Sequence, residues 1–293
     1  MYPIHVAYWL APGVRRLEVV APRIAARHRP GHFVIVRAHD EGERIPLTVA
    51  DTCSERGTVT LIVQSVGATT ERLCALGSGD VLPDVVGPLG RPTEVRQFGR
   101  VVLVGGGVGT AVLFPQAKAL GKAGNQVDAV IGARDRAHVI FEAALGECCR
   151  RVLPCTDDGS HGFHGFVTER LAQVLDEMSV DAVFTAGPVP MMKAVAEVTH
   201  PRRVHTMASL NPVMVDGTGM CGGCRVTVGG QTRFACVEGP EFDAHAVDFD
   251  ELTDRLTAYR AHEIEARRRL ANDRKHTCRL RAATIEAAQT GGD

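Results

Sequence analysis

The feature that most constrains this chain is a glycine-rich loop that carries closely spaced cysteines near residue 220. Asp216 is followed after five positions by Cys221 and after three more by Cys224, and Cys236 comes from a separate segment. This spacing matches the Cys-x4-Cys-x2-Cys…Cys pattern of plant-type [2Fe-2S] sites, with an aspartate in the position of the first cysteine. The glycines of the loop allow backbone amides to approach sulfur closely. We therefore predict a [2Fe-2S] cluster that is ligated by Asp216, Cys221, Cys224 and Cys236.

Two other interpretations of this loop stay open at the level of sequence. A structural zinc site with three thiolates and one carboxylate has the same ligand count, although such sites usually pair Cys-x2-Cys with a second compact pair. A reduced loop without a metal is the other alternative. Nine cysteines in a chain without a recognisable export signal nevertheless favour metal or redox chemistry over structural disulfide bonds.

Composition and charge argue against several classes of partner. The N-terminal stretch lacks a basic region followed by an apolar core, so we expect no export signal and a cytoplasmic protein. The most apolar window, residues 101–114, is too short for a membrane span and is interrupted by glycines, so no membrane partner is expected. A net charge of -1 and an aromatic content of 5% argue against a nucleic-acid partner.

The hydrophobic pattern divides the 293 residues into an all-β part, an α/β part and two smaller segments. Residues 1–98 alternate with a period of two between turn signals such as Pro12-Gly13, which predicts an antiparallel β-barrel. In residues 99–206 buried strands alternate with helical patterns, which predicts a Rossmann-like parallel sheet. Residues 207–250 form the cysteine-rich module, and residues 251–293 are predicted to be a charged helical tail that is solvated or faces a partner.

A glycine-rich turn follows the first buried strand of the α/β part and suits the phosphates of a dinucleotide. Its predicted contacts are Gly105, Gly106, Gly107, Gly109 and Thr110. The threonine stands where a Gly-x-Gly-x-x-Gly motif has its third glycine, and a turn that serves packing alone is the alternative. Two further loops follow strand-like segments and should meet this turn at the carboxyl edge of the sheet. They add Asp157, Gly187, Pro188 and Met191 to the predicted nucleotide site.

The all-β part contains two short motifs that combine a turn or strand with groups able to bind a cofactor. The first motif contains Arg44, Pro46, Leu47 and Thr48. The second contains Gly67, Thr69 and Thr70. In the first, the guanidinium suits a pyrophosphate and the hydroxyl suits a flavin ring atom. In the second, amides and hydroxyls suit another phosphate. An exposed edge strand and an ordinary helix start account for the same motifs without a ligand.

Taken in order, these motifs resemble those of the ferredoxin-reductase-like flavoproteins over about residues 5–250. The resemblance also includes Val86-Gly-Pro-Leu-Gly90 and the sequence Gly187-Pro188-x-x-Met191-Met192. Within that family the chain is most similar to the small subunits of NADH-dependent reduced ferredoxin:NADP oxidoreductase, which are also described as sulfide dehydrogenase subunits. The electron-transfer subunits of dihydroorotate dehydrogenase B are similar too, but they look like four-cysteine cluster proteins. Asp216 therefore favours the first group.

The resemblance implies an oxidoreductase subunit with a β-barrel that binds FAD, a Rossmann-like domain that binds NAD(H), and a C-terminal [2Fe-2S] module. It implies that Arg44 contacts the FAD pyrophosphate, that Thr48 contacts the isoalloxazine, and that Gly67 and Thr69 contact flavin phosphates. The loop at Gly105 is implied to bind the nicotinamide dinucleotide. Because the cofactors carry the chemistry of hydride and electron transfer, we assign no catalytic side chain.

The same resemblance implies a partner, since a subunit with one flavin and one cluster needs an outlet for its electrons. We expect a heterodimer with a large flavin- and iron–sulfur-containing subunit that resembles the small subunit of glutamate synthase and gives access to ferredoxin. The resemblance favours NAD(H), and NADP(H) stays open. Asp135 suits a ribose hydroxyl, whereas Arg134 and Arg136 suit a 2′-phosphate.

Overall fold

The computed structural model describes residues 1–272, and its N-terminal part is one antiparallel sheet of seven strands. The strands are β1 (Tyr2–Ala11), β2 (Val14–Val20), β3 (Phe33–Arg37), β4 (Arg44–Cys53), β5 (Thr58–Gln64), β6 (Val81–Leu82) and β7 (Asp84–Leu89). Two helices accompany them, α1 (Pro22–Ala25) and α2 (Ala68–Ala75). The inward side chains of these strands, together with Leu73 of α2, form one buried apolar cluster. The predicted all-β character of this part is confirmed.

The sheet is a half-barrel. Its order is β6-β1-β2-β5-β4-β3-β7, so that β6 and β7 lie at opposite edges. Only Pro83 separates these two strands in the chain. Proline has no N–H group to donate to a ladder of hydrogen bonds, which fits the break between β6 and β7 at Pro83. The hairpin between β1 and β2 turns at Pro12-Gly13, where Gly13 takes a φ of +69° that suits glycine.

The second part is a sheet of parallel strands with helices on both faces, as the alternation of patterns predicts. Its strands are β8 (Arg100–Gly106), β9 (Gln126–Ala133), β10 (Arg151–Thr156), β11 (Phe163–His164), β12 (Ala182–Ala186) and β13 (His205–Ser209). Its helices are α3 (Gly109–Lys122), α4 (Glu142–Gly146), α5 (Val167–Glu177) and α6 (Val189–Thr199), with 3₁₀ turns at Arg136–His138 and His200–Arg202. Strand β8 is buried on both faces, because Val101 and Leu103 pack on one side and Val102 and Val104 on the other.

The order of this sheet creates a crevice at its carboxyl edge. The order is β11-β10-β9-β8-β12-β13, continued by a short antiparallel strand of the cysteine-rich segment. The chain proceeds from β8 towards β9 in one direction and returns at β12 on the other side of β8. Loops at such a switch point diverge and leave room for a ligand. The glycine-rich turn after β8 and the Gly187-Pro188 turn after β12 both lie there.

The cysteine-rich segment packs against both sheets. Its elements are β14 (Arg225–Val228), β15 (Gln231–Phe234), α7 (Ala235–Glu238), β16 (Glu241–Asp243) and α8 (Phe249–Thr257). Strand β16 pairs with β13 and so extends the second sheet. A shared apolar core joins Phe33 of the first sheet, Met192 of α6 and Cys236 of the segment. Since strand β13 spans 205–209, it crosses the boundary predicted at 206, and the domain boundaries stay a prediction.

The tail is helical in the part that the structure describes. After α8, residues 260–272 form a further helix, and residues 273–293 of the predicted tail lie outside the described residues. The side chain of Arg267 reaches Glu71 of α2, with 2.9 Å between Nε and Oε1. Residues 260–272 are therefore exposed on one side, and their other side faces the first sheet unit. None of the helices within residues 1–272 combines the length and apolar character needed to cross a bilayer.

Glu241 joins three parts of the fold through one carboxyl group. Its Oε1 accepts hydrogen bonds from Thr93 Oγ1 and from Gln116 Nε2, each at 2.6 Å. Thr93 belongs to the segment between the two sheets, Gln116 to α3 and Glu241 to β16. Burial raises the pKa of the Glu241 carboxyl from 4.5 to about 7.

This raised pKa predicts a dependence of stability on pH. Between about pH 4.5 and 7 the folded chain holds a proton that the unfolded chain has lost, so this group lowers stability as the pH rises through that window. Glu241→Gln keeps the oxygen that accepts the two hydrogen bonds. We expect its free energy of unfolding to exceed that of the wild type by up to about 3 kcal/mol at pH 8, and to be similar to it at pH 4. Chemical denaturation at several pH values measures this. The control is Glu197→Gln on the exposed face of α6, and a parallel pH profile for Glu241→Gln and wild type would contradict the prediction.

Candidate functional site

The cysteine-rich loop gathers its predicted ligands into two neighbouring groups. Cys224 Sγ and Cys236 Sγ are both buried and lie 3.2 Å apart, well beyond the roughly 2.05 Å of a disulfide bond. Asp216 accepts the backbone N–H of Thr218 on Oδ1 at 2.9 Å and that of Cys221 on Oδ2 at 2.8 Å. The loop thus holds the aspartate against the backbone of Cys221, while the two later cysteines face each other.

The arrangement of these donors fits a two-iron cluster better than a single metal ion. Within the described part of the chain, no three His, Cys, Asp or Glu side chains converge on one point that could hold a metal ion. A structural zinc site requires four such ligands around one ion. Each iron of a [2Fe-2S] cluster takes only two protein ligands. The buried thiols of Cys224 and Cys236 could supply the two protein ligands of one iron, and the full ligand set stays a prediction.

Backbone amides and burial set the electrostatics of the loop. The amides of Thr218 and Cys221 hold the pKa of the Asp216 carboxyl below its usual value. Burial and the neighbouring Cys224 raise the pKa of the Cys236 thiol to about 12. The N–H groups of Gly223 and Cys236 approach the sulfurs of Cys221 and Cys224, at 3.5 and 3.4 Å. Because metal ligation requires thiolates, a bound cation must supply the charge that ionises Cys236, and the amides then stabilise the sulfurs.

A central cavity of about 420 Å³ lies where the two sheets and the cysteine-rich segment meet. Pro46, Leu47 and Thr48 of β4 form one wall. The turns after β8 and β12 form a second wall, with Gly106, Gly107, Gly109, Gly187 and Pro188. The third wall is Ser209, Leu210, Asn211 and Met214, which lead into the loop at Asp216, and Pro240. The cavity therefore touches all three parts of the fold.

A second, sheet-edge cavity of about 750 Å³ opens beside the first at the carboxyl edge of the parallel sheet. It contains the predicted nucleotide contacts Gly106, Gly107, Asp157, Pro188 and Met191. Gly106, Gly107, Pro188 and Gln64 line both cavities. A ligand in the sheet-edge cavity would therefore meet a ligand in the central cavity across these shared residues.

Glycine is required at this junction because the two turns approach each other closely. A Cβ atom on Gly109 would lie 2.2 Å from the carbonyl oxygen of Ala186, and one on Gly106 would lie 2.5 Å from Met191 Sδ. Gly105 and Thr110, which are also predicted contacts, pack behind the turn. A Cβ on Gly105 would meet Thr110 Oγ1 at 2.9 Å, and Thr110 is only 2% exposed. The turn thus combines cavity-lining glycines with packing residues.

Asp135 makes local contacts that the sequence did not predict. Its carboxylate accepts the backbone N–H of His138 at 3.1 Å and lies 2.6 Å from His138 Nδ1, so it caps a 3₁₀ turn. From this segment, Arg134 and His138 line the sheet-edge cavity. The hydrogen bond to the backbone competes with a ligand for the Asp135 carboxylate, so its contact with a ribose stays a prediction.

The two motifs of the first sheet lie at different cavities, since Pro46, Leu47 and Thr48 line the central one and Thr69 lines another cavity beside α2. Arg44 starts β4, is exposed, and forms no ion pair with any residue in 1–272. Gly67 precedes α2, where Thr70 Oγ1 accepts the N–H of Gly67 at 2.9 Å and donates to its carbonyl. Thr69 Oγ1 donates to Glu43 Oε2 at 2.7 Å. The Thr70 hydroxyl thus serves the helix start, and phosphate contacts for this motif stay a prediction.

Comparison with known proteins shows the family of this chain. A family model described as the iron–sulfur cluster binding domain of dihydroorotate dehydrogenase B matches residues 211–248, which include all four predicted ligands. The dihydroorotate dehydrogenase B (NAD(+)), electron transfer subunit homolog of Thermotoga maritima is 49% identical over 254 residues, covering 87% of this chain and 90% of that protein. This chain belongs to the dihydroorotate dehydrogenase B electron-transfer-subunit family.

Members of this family and a solved structure extend the match. The electron transfer subunit of dihydroorotate dehydrogenase B from Shouchella clausii is 36% identical over 225 residues, which cover 73% of this chain and 84% of that protein. A solved structure described as NADH-dependent reduced ferredoxin-NADP oxidoreductase superposes with a TM-score of 0.88 and 45% identity over 92% of this chain and 98% of that chain. The predicted resemblance to ferredoxin-reductase-like electron-transfer subunits is confirmed.

Sequence reasoning missed several cavity residues of this dihydroorotate dehydrogenase B family member. They lie outside recognisable motifs and reach the cavities through folding alone. In the central cavity they are Phe33, Gln64, Ser209, Met214 and Pro240, and in the sheet-edge cavity they are His138, Gly165, Phe166 and Thr168. Asn211 had a local signal, since it stands at the start of the run that leads to Asp216.

Proposed function

We propose that this chain is the electron-transfer subunit of a flavin and iron–sulfur oxidoreductase. In this role it exchanges hydride between NAD(H) and FAD, and single electrons between FAD and a [2Fe-2S] cluster. The single observation that carries the proposal is the central cavity, whose walls come from β4, from the nucleotide-binding edge of the parallel sheet and from the run before Asp216. A flavin there would lie between a nucleotide in the sheet-edge cavity and the cluster loop.

The chain's own residues bind and orient the cofactors, while FAD, NAD(H) and the cluster supply the hydride and electron chemistry when bound. The Thr48 side chain lines the central cavity and offers a hydroxyl to a polar ring atom. Leu47, Leu210 and Met214 give the same cavity apolar walls, which exclude water from the reacting atoms. The glycines at 106 and 107 keep the two cavities in contact, since they add no side chain between them.

We assign the nicotinamide nucleotide as NAD(H) from the family resemblance. Arg134 lines the sheet-edge cavity, where the 2′-phosphate of NADP(H) would meet it, so the two nucleotides must be compared directly. Stopped-flow reduction of the flavin under anaerobic conditions separates them. NADH should reduce the bound flavin faster than NADPH at equal concentration, and the reverse order would overturn the assignment.

Asp216 supports the ferredoxin:NADP oxidoreductase type over the dihydroorotate dehydrogenase type. Sequence identity does not separate the two types, since the solved oxidoreductase is 45% identical to this chain and the relative from Thermotoga maritima is 49% identical. The proposed partner is a large flavin- and iron–sulfur-containing subunit that resembles the small subunit of glutamate synthase. A dihydroorotate dehydrogenase partner is the second candidate, because the relative from Thermotoga maritima carries that name. Mass spectrometry of proteins that co-purify with the native subunit distinguishes the two.

Replacement of Asp216 by cysteine tests its role as a ligand. We expect Asp216→Cys to keep its iron and to shift the midpoint potential of the cluster, because a thiolate replaces a carboxylate at the same position of the ferredoxin-like spacing. Iron analysis and a redox titration followed by electron paramagnetic resonance measure both. Asp254→Cys on the exposed side of α8 serves as the control. An unchanged potential in Asp216→Cys would remove Asp216 from the ligand set.

The function as a whole is tested by the cofactor content of the purified chain. Anaerobically purified or reconstituted protein should contain FAD, iron and acid-labile sulfide, and NADH should bleach its flavin absorption. A colourless protein that contains zinc, and that takes up neither flavin nor iron on reconstitution, would refute the proposed function in favour of a nucleotide-binding zinc module.

A further inference from the structure

A third cavity, the tail cavity, lies between the first sheet unit and the C-terminal helix, and encloses about 390 Å³. One wall is the loop before β4 and the start of α2, with His39, Glu41, Gly42, Glu43, Ala68, Thr69 and Arg72. The other wall is the helix of residues 260–272, with His262, Glu265, Ala266, Arg269 and Leu270. The helix of residues 260–272 is far from the first sheet in sequence, but it completes a cavity beside the second predicted phosphate motif.

The tail residues that line this cavity occupy a single helical face. Positions 262, 265, 266, 269 and 270 follow the i, i+3, i+4, i+7, i+8 spacing that places side chains on one side of a helix. Leu270 is 6% exposed although most of the helix is open to solvent. The ion pair between Arg267 and Glu71 joins the helix to α2. This face is thus directed at the cavity and held there by a contact to the opposite wall.

The lining suits a ligand that carries both phosphates and hydrogen-bond donors. Arg72 and Arg269 provide guanidinium groups and Glu41, Glu43 and Glu265 provide carboxylates, and Arg269 Nε donates to Glu265 Oε1 at 3.0 Å. Arg72 donates to His39, and Thr69 donates to Glu43. A simple anion would be repelled by the carboxylates. A nucleotide, by contrast, offers phosphates to the arginines and ribose or base donors to the carboxylates.

Strand β4 connects this cavity to the central one. Glu43 lines the tail cavity and Thr48 lines the central cavity, and Arg44 lies between them at the start of the strand. Four residues of strand from Arg44 to Thr48 span about 13 Å at roughly 3.3 Å per residue. One extended dinucleotide lying along β4 would reach from the central cavity past the Arg44 guanidinium into the tail cavity.

We infer that the helix of residues 260–272 closes the adenosine diphosphate end of the flavin site and thereby makes the chain select FAD over FMN. This inference rests on the proposed function, since it assumes a flavin in the central cavity. It assigns a binding role to a segment that its charge pattern alone would leave to solvent or to a partner. FMN lacks the adenosine portion, so it would not use this wall.

Two truncations test the inference with a matched control. A chain that ends at residue 258 lacks the helix, whereas a chain that ends at residue 272 keeps it and loses only residues 273–293. We expect the shorter chain to bind FAD at least about tenfold more weakly than the longer one, because charge-assisted contacts are lost, and to bind FMN equally well. Fluorescence titration of the flavin-free proteins with FAD and with FMN measures both affinities, and iron content reports on the rest of the fold.

A full-length variant gives the same test without a truncation. Ala266→Trp fills the tail cavity from an exposed helix, so it should weaken FAD binding and leave FMN binding and thermal stability unchanged. The exposed neighbour Ile264→Trp is the control. Equal FAD affinity in the two truncations, or a parallel loss of FAD and FMN binding, would overturn the inference while leaving the proposed function in place. A full-length chain that binds neither flavin would overturn the proposed function itself.

Discussion

Replacing Cys224 by serine is expected to remove most of the iron from the protein. The Cys224 sulfur lies 3.2 Å from that of Cys236 in a buried part of the loop, where two thiolates can share one iron. Even changes outside the direct ligands cost roughly tenfold to a hundredfold in metal affinity, so loss of a ligand should lower iron binding by at least that much. Iron and sulfide analysis of reconstituted protein, with visible absorption, measures the effect.

The matched control is Cys155→Ser, which changes an equally buried cysteine in β10, far from the loop in sequence. Cys155 packs in the apolar cluster of the parallel sheet, whereas Cys224 and Cys236 pack together in a different one, so Cys155 is not part of the predicted ligand set. We expect Cys155→Ser to keep its iron. Flavin occupancy should persist in Cys224→Ser, because the central cavity is intact. If Cys224→Ser retained its cluster, Cys224 would not be a ligand.

Gly109→Ala is expected to lower the free energy of unfolding by about 3 kcal/mol and to weaken nucleotide binding. The new methyl group would lie 2.2 Å from the carbonyl oxygen of Ala186, and that oxygen belongs to backbone that cannot rotate away. Forcing an extra carbon into a packed position typically costs about 1–3 kcal/mol, and a backbone clash lies at the upper end. Separation of the two turns would also distort the wall that the two cavities share. Chemical denaturation and NADH titration measure the two effects.

Gly146→Ala in α4 provides the control, since a Cβ there would meet no atom within 4 Å. Alanine is favoured over glycine in helices by about 1 kcal/mol, so this variant should be as stable as the wild type or slightly more stable. If Gly109→Ala had the stability and the NADH affinity of the wild type, the prediction would be contradicted. The turns after β8 and β12 would then be able to move apart without cost.

Much of the fold was predictable because it depends on local periodicity. Alternation over residues 1–98 predicted antiparallel strands, and the run Val101–Val104 followed by glycines predicted a parallel strand entering a helix. The tail was predicted as helical, and residues 260–272 are helical. The predicted barrel is a half-barrel in the structure, because closure depends on pairing between the two edge strands, which the pattern of any one strand does not show.

The candidate site also has a part that the sequence predicted and a part that it did not. Its short-range parts, the cysteine spacing and the glycine turn at 105–109, carry their chemistry in consecutive residues, so composition and spacing indicate them directly. Asp135 shows the limit of such reasoning. Its type and position suit a ribose, yet the adjacent turn engages its carboxylate. A hydrogen bond to the backbone three residues away competes with any ligand for this carboxylate, and the sequence alone does not show which of the two it binds.

The sequence by itself determined which candidate donors the chain offers, three thiols and one carboxylate, and which glycines allow close approach to them. Only the tertiary structure decided that the run before Asp216, the β4 motif and the turns after β8 and β12 line one central cavity. It also decided that residues 260–272 complete a third cavity beside α2. The physical reason is that ligand type is a property of each residue, whereas proximity between residues far apart in the chain is a property of how the sheets pack.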